Sequence, residues 1–438
     1  MNFSHYPSYL ESSVASLGKV PSHWSVSKFS RHVRINSGQV DPRLETIREM
    51  ILIAPNHIEP GTGKLLAEET AESQGADSGK YLVHKGQVIY SKIRPNLVKA
   101  VIAPMECLCS ADMYGLSPDF KKLDSEFLLK IILSKPFTDY VVDSSMRVAM
   151  PKVNHDSLGA APVWLPPLDE QRKIVAFLDR ETSKIDTLIS KQKLLIATLR
   201  EDRRATIANA VTKGLDPNVK MRDSGVAWVS TAPSRWRNVQ VKNRFTVTVG
   251  KMLNAGNPKP GTILYPYMRA ANIQPHGLDL SEVKEMPLEP HEVTQLSLRA
   301  DDLVVVEGGG GYGRSAVLPT DLKGWVFQNH ILRVRTKGAD KTSYLDYLIK
   351  TLLANGHIST LSNHATIPSL SSEKLECIRF AIPPASEQKD IVKFLDYRCE
   401  KIDALVAKAC EMIATLREYR SALITAAVTG QIDVRGVV

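Results

Sequence analysis

Between Gly308 and Ser315 the chain reads Gly-Gly-Gly-Gly-Tyr-Gly-Arg-Ser. That is one residue away from the G-x-x-x-x-G-K-[ST] loop whose backbone N–H groups cradle phosphates. Arg314 stands where that loop needs lysine. The next residues, AVLPTDLKG, bring a proline and a turn instead of a helix whose N-terminus would face phosphate. Nucleotide hydrolysis is therefore not expected, and two readings remain. One is a flexible glycine turn. The other is a DNA-contacting loop, in which missing side chains let the backbone approach a polyanion while Tyr312 and Arg314 offer a stacking ring and a forked donor for phosphate or guanine. The first half of the chain has YSKIRPNLVK in the corresponding place, with Lys92, Arg94, Asn96 and Lys99 among apolar residues. Arginine and asparagine pair bidentately with guanine and adenine edges, and lysine mainly neutralises phosphate; the alternative is a solvated strand end. A second paired place is APNHIEP from Ala54 against AANIQPHG from Ala270. There Asn56, His57, Arg269 and Asn272 either read bases or make turns.

Catalytic constellations are missing. No N-P-P-[YF/W] or glycine-rich methyl-donor motif occurs, and no nucleophile elbow. Glu282-Val283-Lys284 comes nearest to a nuclease E-x-K but lacks an upstream Pro-Asp and reads as a solvated strand or turn. The five cysteines, Cys107, Cys109, Cys377, Cys399 and Cys410, have neither C-x-x-C spacing nor clustered histidines, so no disulfide framework or zinc site is expected. No catalytic residue, metal or cofactor is expected in this chain. A net charge of +9 suits a polyanionic partner such as nucleic acid. With no apolar run of about 18 residues and no basic-then-apolar leader at the N-terminus, the expected compartment is the cytoplasm.

The elements that must position these loops are written twice. PPLDEQRKIVAFLDRETSKIDTLISKQKLLIATLREDRRATIANAVT from Pro166 matches PPASEQKDIVKFLDYRCEKIDALVAKACEMIATLREYRSALITAAVT from Pro383, at an offset of 383 − 166 = 217 held without a gap. More than half of the aligned residues are identical. An earlier echo, ESSVASLGKVPSHW ending at Trp24 and DSGVAWVSTAPSRW ending at Trp236, has an offset of 236 − 24 = 212. The chain is thus a tandem duplication in which each half is a variable segment followed by a shared one. The shared segments read as helices capped by Asp169 and Ser386 and stopped at Gly214 and Gly430. About 40 residues would span roughly 60 Å if unbroken, with Arg180–Ser183 the place where a break would fall. Heptad steps pick out Ile185, Leu188, Leu195 and Leu199, and Ile402, Leu405, Met412 and Leu416, as a seam between the two copies. The variable segments are richer in Gly, Pro and β-branched runs, each with a helical stretch near its end (from Asp124 and from Thr342), so they read as α+β domains with mixed or antiparallel strands. The expected fold is two α+β recognition domains, 1–165 and 215–382, separated by helical spacers, 166–214 and 383–438. The helices would pair as an antiparallel intramolecular coiled coil with pseudo-twofold symmetry.

The paired P-P-x-x-E-Q-x-x-I-V-x-F-L-D motif, with P-S-H-W and P-S-R-W opening each half, resembles the specificity subunit of type I restriction-modification enzymes across essentially the whole chain. The resemblance implies two target recognition domains, each reading one half of a bipartite asymmetric DNA site. It also implies two modification subunits docked on the helices and restriction subunits joining that core. S-adenosylmethionine, ATP and Mg would then sit on those partner subunits. The alternative is a stand-alone sequence-specific DNA-binding protein, which would have no need of apolar residues exposed outside the helix seam.

Overall fold

The computed structural model describes residues 4–12, 14, 16–145, 151–253, 261–275, 277–360 and 369–437. It divides into two compact units, one of Met1–Lys193 with Cys410–Val438, the other of Leu194–Ala409. Each unit is an α+β domain carrying half of each of two long helices.

In the first unit a four-stranded antiparallel sheet has the order Val33–Ile35, Met113–Pro118, Val88–Ser91, Ala100–Ile102. In the second the same order is kept by Phe245–Val249, Ile331–Thr336, Leu303–Val306, Ser315–Val317. Both units add a mixed sheet, of four strands in the first and three in the second, with Leu52–Ile53 parallel to Cys107–Cys109 and Tyr267–Met268 parallel to Val326–Phe327. Strand Leu303–Val306 is apolar at every position because both of its faces are covered. Leu303 and Val305 join one core, and Val304 and Val306 the other. Helix α1 (Ser125–Ile132) packs on strands Val88–Ser91 and Ala100–Ile102, capped by the Asp124 carboxylate accepting from the Glu126 and Phe127 N–H groups.

The long helices are α2 (Leu168–Lys213) and α4 (Ala385–Val428), separated in sequence by α3 (Thr342–Ala354) of the second unit. Both long helices are unbroken, α2 running through Arg180–Ser183 for about 69 Å. They begin one residue before the expected caps. The Pro167 and Pro384 carbonyls accept the first turn bonds from Gln171 and Gln388, so Asp169 and Ser386 lie inside the first turn. Gly214 and Gly430 stop the helices in left-handed backbone, at φ of +78° and +73°. Gly214 ends α2 against Trp236, and Gly430 ends α4 against Trp24 and Pro21. The last carbonyls are satisfied by aromatic donors, Tyr344 hydroxyl to Val211 and Trp164 Nε1 to Val428.

The repeated words now have physical reasons. The strand after each P-S-x-W pairs antiparallel with the strand before each P-P, Ser25–Lys28 with Pro162–Leu165 and Arg237–Gln240 with Arg379–Ile382, which zips both ends of each domain together. The glutamates of E-Q take the residue before the tryptophan: His23 Nε2 meets Glu170 at 2.8 Å, and Arg235 forks onto Glu387 at 2.9 and 3.1 Å. The glutamines are fully buried. Gln171 accepts from the Asp124 N–H and donates to the Pro166 carbonyl, and Gln388 does the same with Lys341 and Pro383.

The helices run antiparallel in each unit. In the first, Asp186 of α2 meets Arg420 of α4, while Arg180, earlier in α2, reaches the Val437 carbonyl. In the second, Arg203 meets Asp403 at 3.2 Å, and Gly214 lies beside Glu387. These two ion pairs exchange residues under the 217-residue offset, as a duplicated antiparallel pair would.

The buried seam corrects the expected one. It runs through buried and half-buried residues, Ile185, Ile189, Gln192, Ile196, Leu199 and Arg203 in α2, and Cys399, Ile402, Val406, Ala409, Ile413, Leu416 and Arg420 in α4, in alternating steps of four and three. Ile185, Leu199, Ile402 and Leu416 belong to it. Leu188, Leu195, Leu405 and Met412 do not, being 47%, 44%, 51% and 49% exposed. Each stands one residue before a seam residue, so an adjacent apolar pair satisfied two heptad frames at once.

Candidate nucleic-acid interface

The two candidate loops share one backbone frame. Residues 92–99 join strands Val88–Ser91 and Ala100–Ile102, and residues 307–314 join Leu303–Val306 and Ser315–Val317, both eight residues long and 215 apart. In the second loop Gly309 and Gly313 have φ of +79° and +75°, and in the first Arg94 and Val98 stand at the matching places with φ of +48° and +47°. The glycines that suggest a phosphate loop therefore serve a left-handed conformation that the first loop reaches under strain. Both loops are held at the same point, Ile93 bridging to Lys152 and Gly308 to Ser369. Adding a methyl group separates these glycines. Gly313→Ala is expected to cost about 1–2 kcal/mol, because its φ is positive and a Cβ there would lie 3.0 Å from Leu353 Cδ1. Gly310→Ala, in open space with ordinary φ, is expected to leave the melting temperature unchanged.

Asn56, Arg94 and Asn96 are exposed and Arg314 half-buried. None of these four side chains has a hydrogen-bond or ion-pair partner among the described residues, so their donors are free for a ligand. The chain brings the first-half candidates together: Lys99 Nζ donates to the Pro55 carbonyl, beside Asn56, and the Gly61 N–H donates to the Val98 carbonyl at 3.1 Å. Lys92 lies over the Tyr114 ring, its Nζ 5.4 Å from the centroid. Tyr312 is half-buried and packs against the core of its domain.

The other paired place resolves toward turns. His57 and Asn272 are both buried, each at the end of a 3-10 turn, Pro55–His57 and Ala270–Asn272. The Ala54 N–H donates to His57 Nδ1 at 3.3 Å, and the Arg269 N–H to Asn272 Oδ1 at 2.9 Å. Asn272 also donates to the Asp279 carbonyl at 2.7 Å. Side chains closed on their own backbone cannot reach a base edge, which corrects the base-reading alternative for both. Arg269 is half-buried and pairs with Glu282 at 2.7 Å, and this contact, chiefly its hydrogen bond, holds the Glu282 carboxyl below its usual range. Glu282 and Lys284, the nearest approach to a nuclease motif, thus form a surface ion-pair cluster with Arg269. Sequence reasoning passed over the polar residues that hold each domain to its helix, although their identities at the 217-residue offset were the available signal.

No group of three or more His, Cys, Asp or Glu placed to hold a metal, and no helix long and apolar enough to cross a membrane, occurs among the described residues. The family model described as "Type I restriction modification DNA specificity domain" matches residues 53–196 and 233–408, one copy per variable segment. The chain is 35% identical over 194 residues to the type I restriction enzyme EcoDI specificity subunit of Escherichia coli, covering 44% of this chain and 43% of that relative. That match spans less than half of the relative's length. Identity to the EcoKI specificity subunit of Escherichia coli strain K12 is 26% over 336 residues, covering 75% and 70%. A solved chain from work on the complex assembly and conformational transition of the type I R-M system superposes with a TM-score of 0.73 at 19% identity, covering 93% of this chain and 98% of that one. The crystal structure of the HsdS subunit from Thermoanaerobacter tengcongensis does so with a TM-score of 0.53 at 18% identity, covering 94% and 98%. Both share the fold. With two matches to the family model, and a loop on the same backbone frame in each unit, this chain belongs to the type I restriction-modification DNA specificity family.

Proposed function

We propose that the recognition domains, residues 1–165 and 215–382, each read one half of a bipartite asymmetric DNA site, and that the helical segments 166–214 and 383–438 set the spacer between the halves. The observation that carries this reading is the duplicated loop frame. One backbone geometry is offered twice with different side chains, Arg94, Asn96 and Lys99 in one copy and Tyr312 and Arg314 in the other. A common frame with divergent side chains suits two related sites with different letters. Asn56 stands beside the first loop and Arg269 in the second domain, where its pairing with Glu282 makes it a positioning residue.

The helices also dock two modification subunits, which bring S-adenosylmethionine and adenine methylation, while restriction subunits bring ATP and Mg. Leu188 and Leu195 lie seven residues apart on α2, Leu405 and Met412 seven apart on α4, and the two pairs exchange under the duplication. Exposed apolar stripes of this kind are outside the buried seam, and their repetition favours two copies of one partner over a stand-alone DNA-binding protein. Replacing all four by serine is expected to abolish co-purification with the modification subunit while shifting the melting temperature little, since none of the four is buried. Retained co-purification would remove the stripe from the interface.

A further inference from the structure

The repeated F-L-D triplet ends at Asp179 in α2 and Asp396 in α4. Lys130 Nζ donates to Asp179 Oδ1 at 2.5 Å, and the Tyr347 hydroxyl donates to Asp396 Oδ1 at 2.6 Å. The donors, like the acceptors, are 217 residues apart, since 347 − 130 = 396 − 179 = 217. Duplication has therefore kept a contact while changing its chemistry, an ion pair in one domain and a phenol donor in the other. Lys130 and Tyr347 are both buried. An ammonium group taken out of water at this place is tolerated because a carboxylate meets it. Burial, with the hydrogen bond to Asp396, pushes the Tyr347 hydroxyl far above its ordinary range, so it remains a donor at any physiological pH.

Each contact joins a short helix that carries the recognition loop to the long helix beside it. Helix α1 packs on the strands flanking the first loop, and α3 packs on those flanking the second. In the second domain Ser315, directly after Arg314, donates to Asp346 Oδ1 at 2.6 Å, and Asp346 adjoins Tyr347. Eight residues earlier on each long helix, Gln171 and Gln388 hold the N–H groups of Asp124 and Lys341, at the start of the same short helices. One attachment point would act as a pivot. Two points about 12 Å apart along the long helix fix an angle.

We infer that Lys130–Asp179 and Tyr347–Asp396 are positioning contacts that set the angle of each recognition domain on its long helix, and so set how strictly the spacer between half-sites is measured. This rests on the bipartite reading proposed above. The test uses the full chain assembled with its modification subunits, acting on unmethylated genomic DNA, with adenine methylation sequenced at single-molecule level. The readout is the ratio of methylation at spacers one base pair longer or shorter to that at the wild-type spacer. Tyr347→Phe, which removes one oxygen, and Lys130→Met are each expected to raise this ratio at least tenfold without changing the half-site letters. Lys130→Arg and Tyr347→Lys, which keep a donor, should hold it near the wild-type value. A uniform fall in methylation with the ratio unchanged would mean a merely structural contact and would overturn the inference, as would altered half-site letters. If the wild-type complex itself showed no bipartite motif, the functional reading would fail and this inference with it.

Discussion

Arg420→Ala is expected to lower the unfolding free energy by about 3 kcal/mol, whereas Arg203→Ala, its equivalent in the other copy, costs about 1 kcal/mol or less. The two arginines hold the same place in the duplicated helices and pair with equivalent aspartates, yet their surroundings differ. The Arg420 side chain is 7% exposed; it meets Asp186 at 3.1 Å and donates to the Gly61 and Thr62 carbonyls at 3.0 and 3.1 Å. Removing it strands two carbonyls and leaves the Asp186 carboxylate, among the described residues, to Lys64 at 2.7 Å. Arg203 is 30% exposed against an Asp403 that is 60% exposed, where water replaces much of what the pair provides. Urea unfolding of the two variants measures the difference. Equal losses would mean that the contact to the Gly61–Thr62 turn adds nothing.

Adding four residues to each long helix, between Leu194 and Leu195 and between Glu411 and Met412, is expected to lengthen the spacer by one to two base pairs while leaving both half-sites unchanged. The insertion points are equivalent under the 217-residue offset, so an added turn in one helix pairs with an added turn in the other. Four residues lengthen a helix by about 6 Å and turn its exit by about 40°, against about 3.4 Å per base-pair step. Neither loop and neither domain attachment is touched, but the added turn parts Leu188 from Leu195 and Leu405 from Met412, so co-purification with the modification subunits is confirmed before the methylation is mapped. Methylation mapping reads spacer and letters together, and changed letters at an unchanged spacer would contradict the role of the helices.

The duplication, the long helices and the α+β character of the segments between them were legible in the residues, because repeated identities and apolar periodicity act locally. The seam was legible only in part. Leu188 and Ile189, or Met412 and Ile413, are neighbours of similar hydrophobicity, and only the partner helix decides which is covered. His57 and Asn272 show a different limit. Their types suit base edges and turn caps equally, and burial, which depends on residues far away in sequence, selects the cap. The glycine run left a flexible turn and a DNA-contacting loop both open because composition does not reveal φ; Arg94 and Val98 in the same left-handed places show that backbone conformation accounts for Gly309 and Gly313. Asp179 and Asp396 stood in plain view inside the motif, but Lys130 and Tyr347 share no chemistry that alignment would flag, and only the fold brings each to its carboxylate.

The most direct test of two separate readers is methylation mapping of the assembled complex carrying Arg94→Ala or Arg314→Ala. Among the described residues neither guanidinium group has a hydrogen-bond or ion-pair partner, so neither substitution breaks a contact described for its domain. If each fork binds a base, each loss costs about 1–3 kcal/mol of discrimination. Arg94→Ala is expected to relax the letters of one half-site and Arg314→Ala those of the other, at an unchanged spacer. Relaxation of the same half-site by both, or of neither, would contradict it.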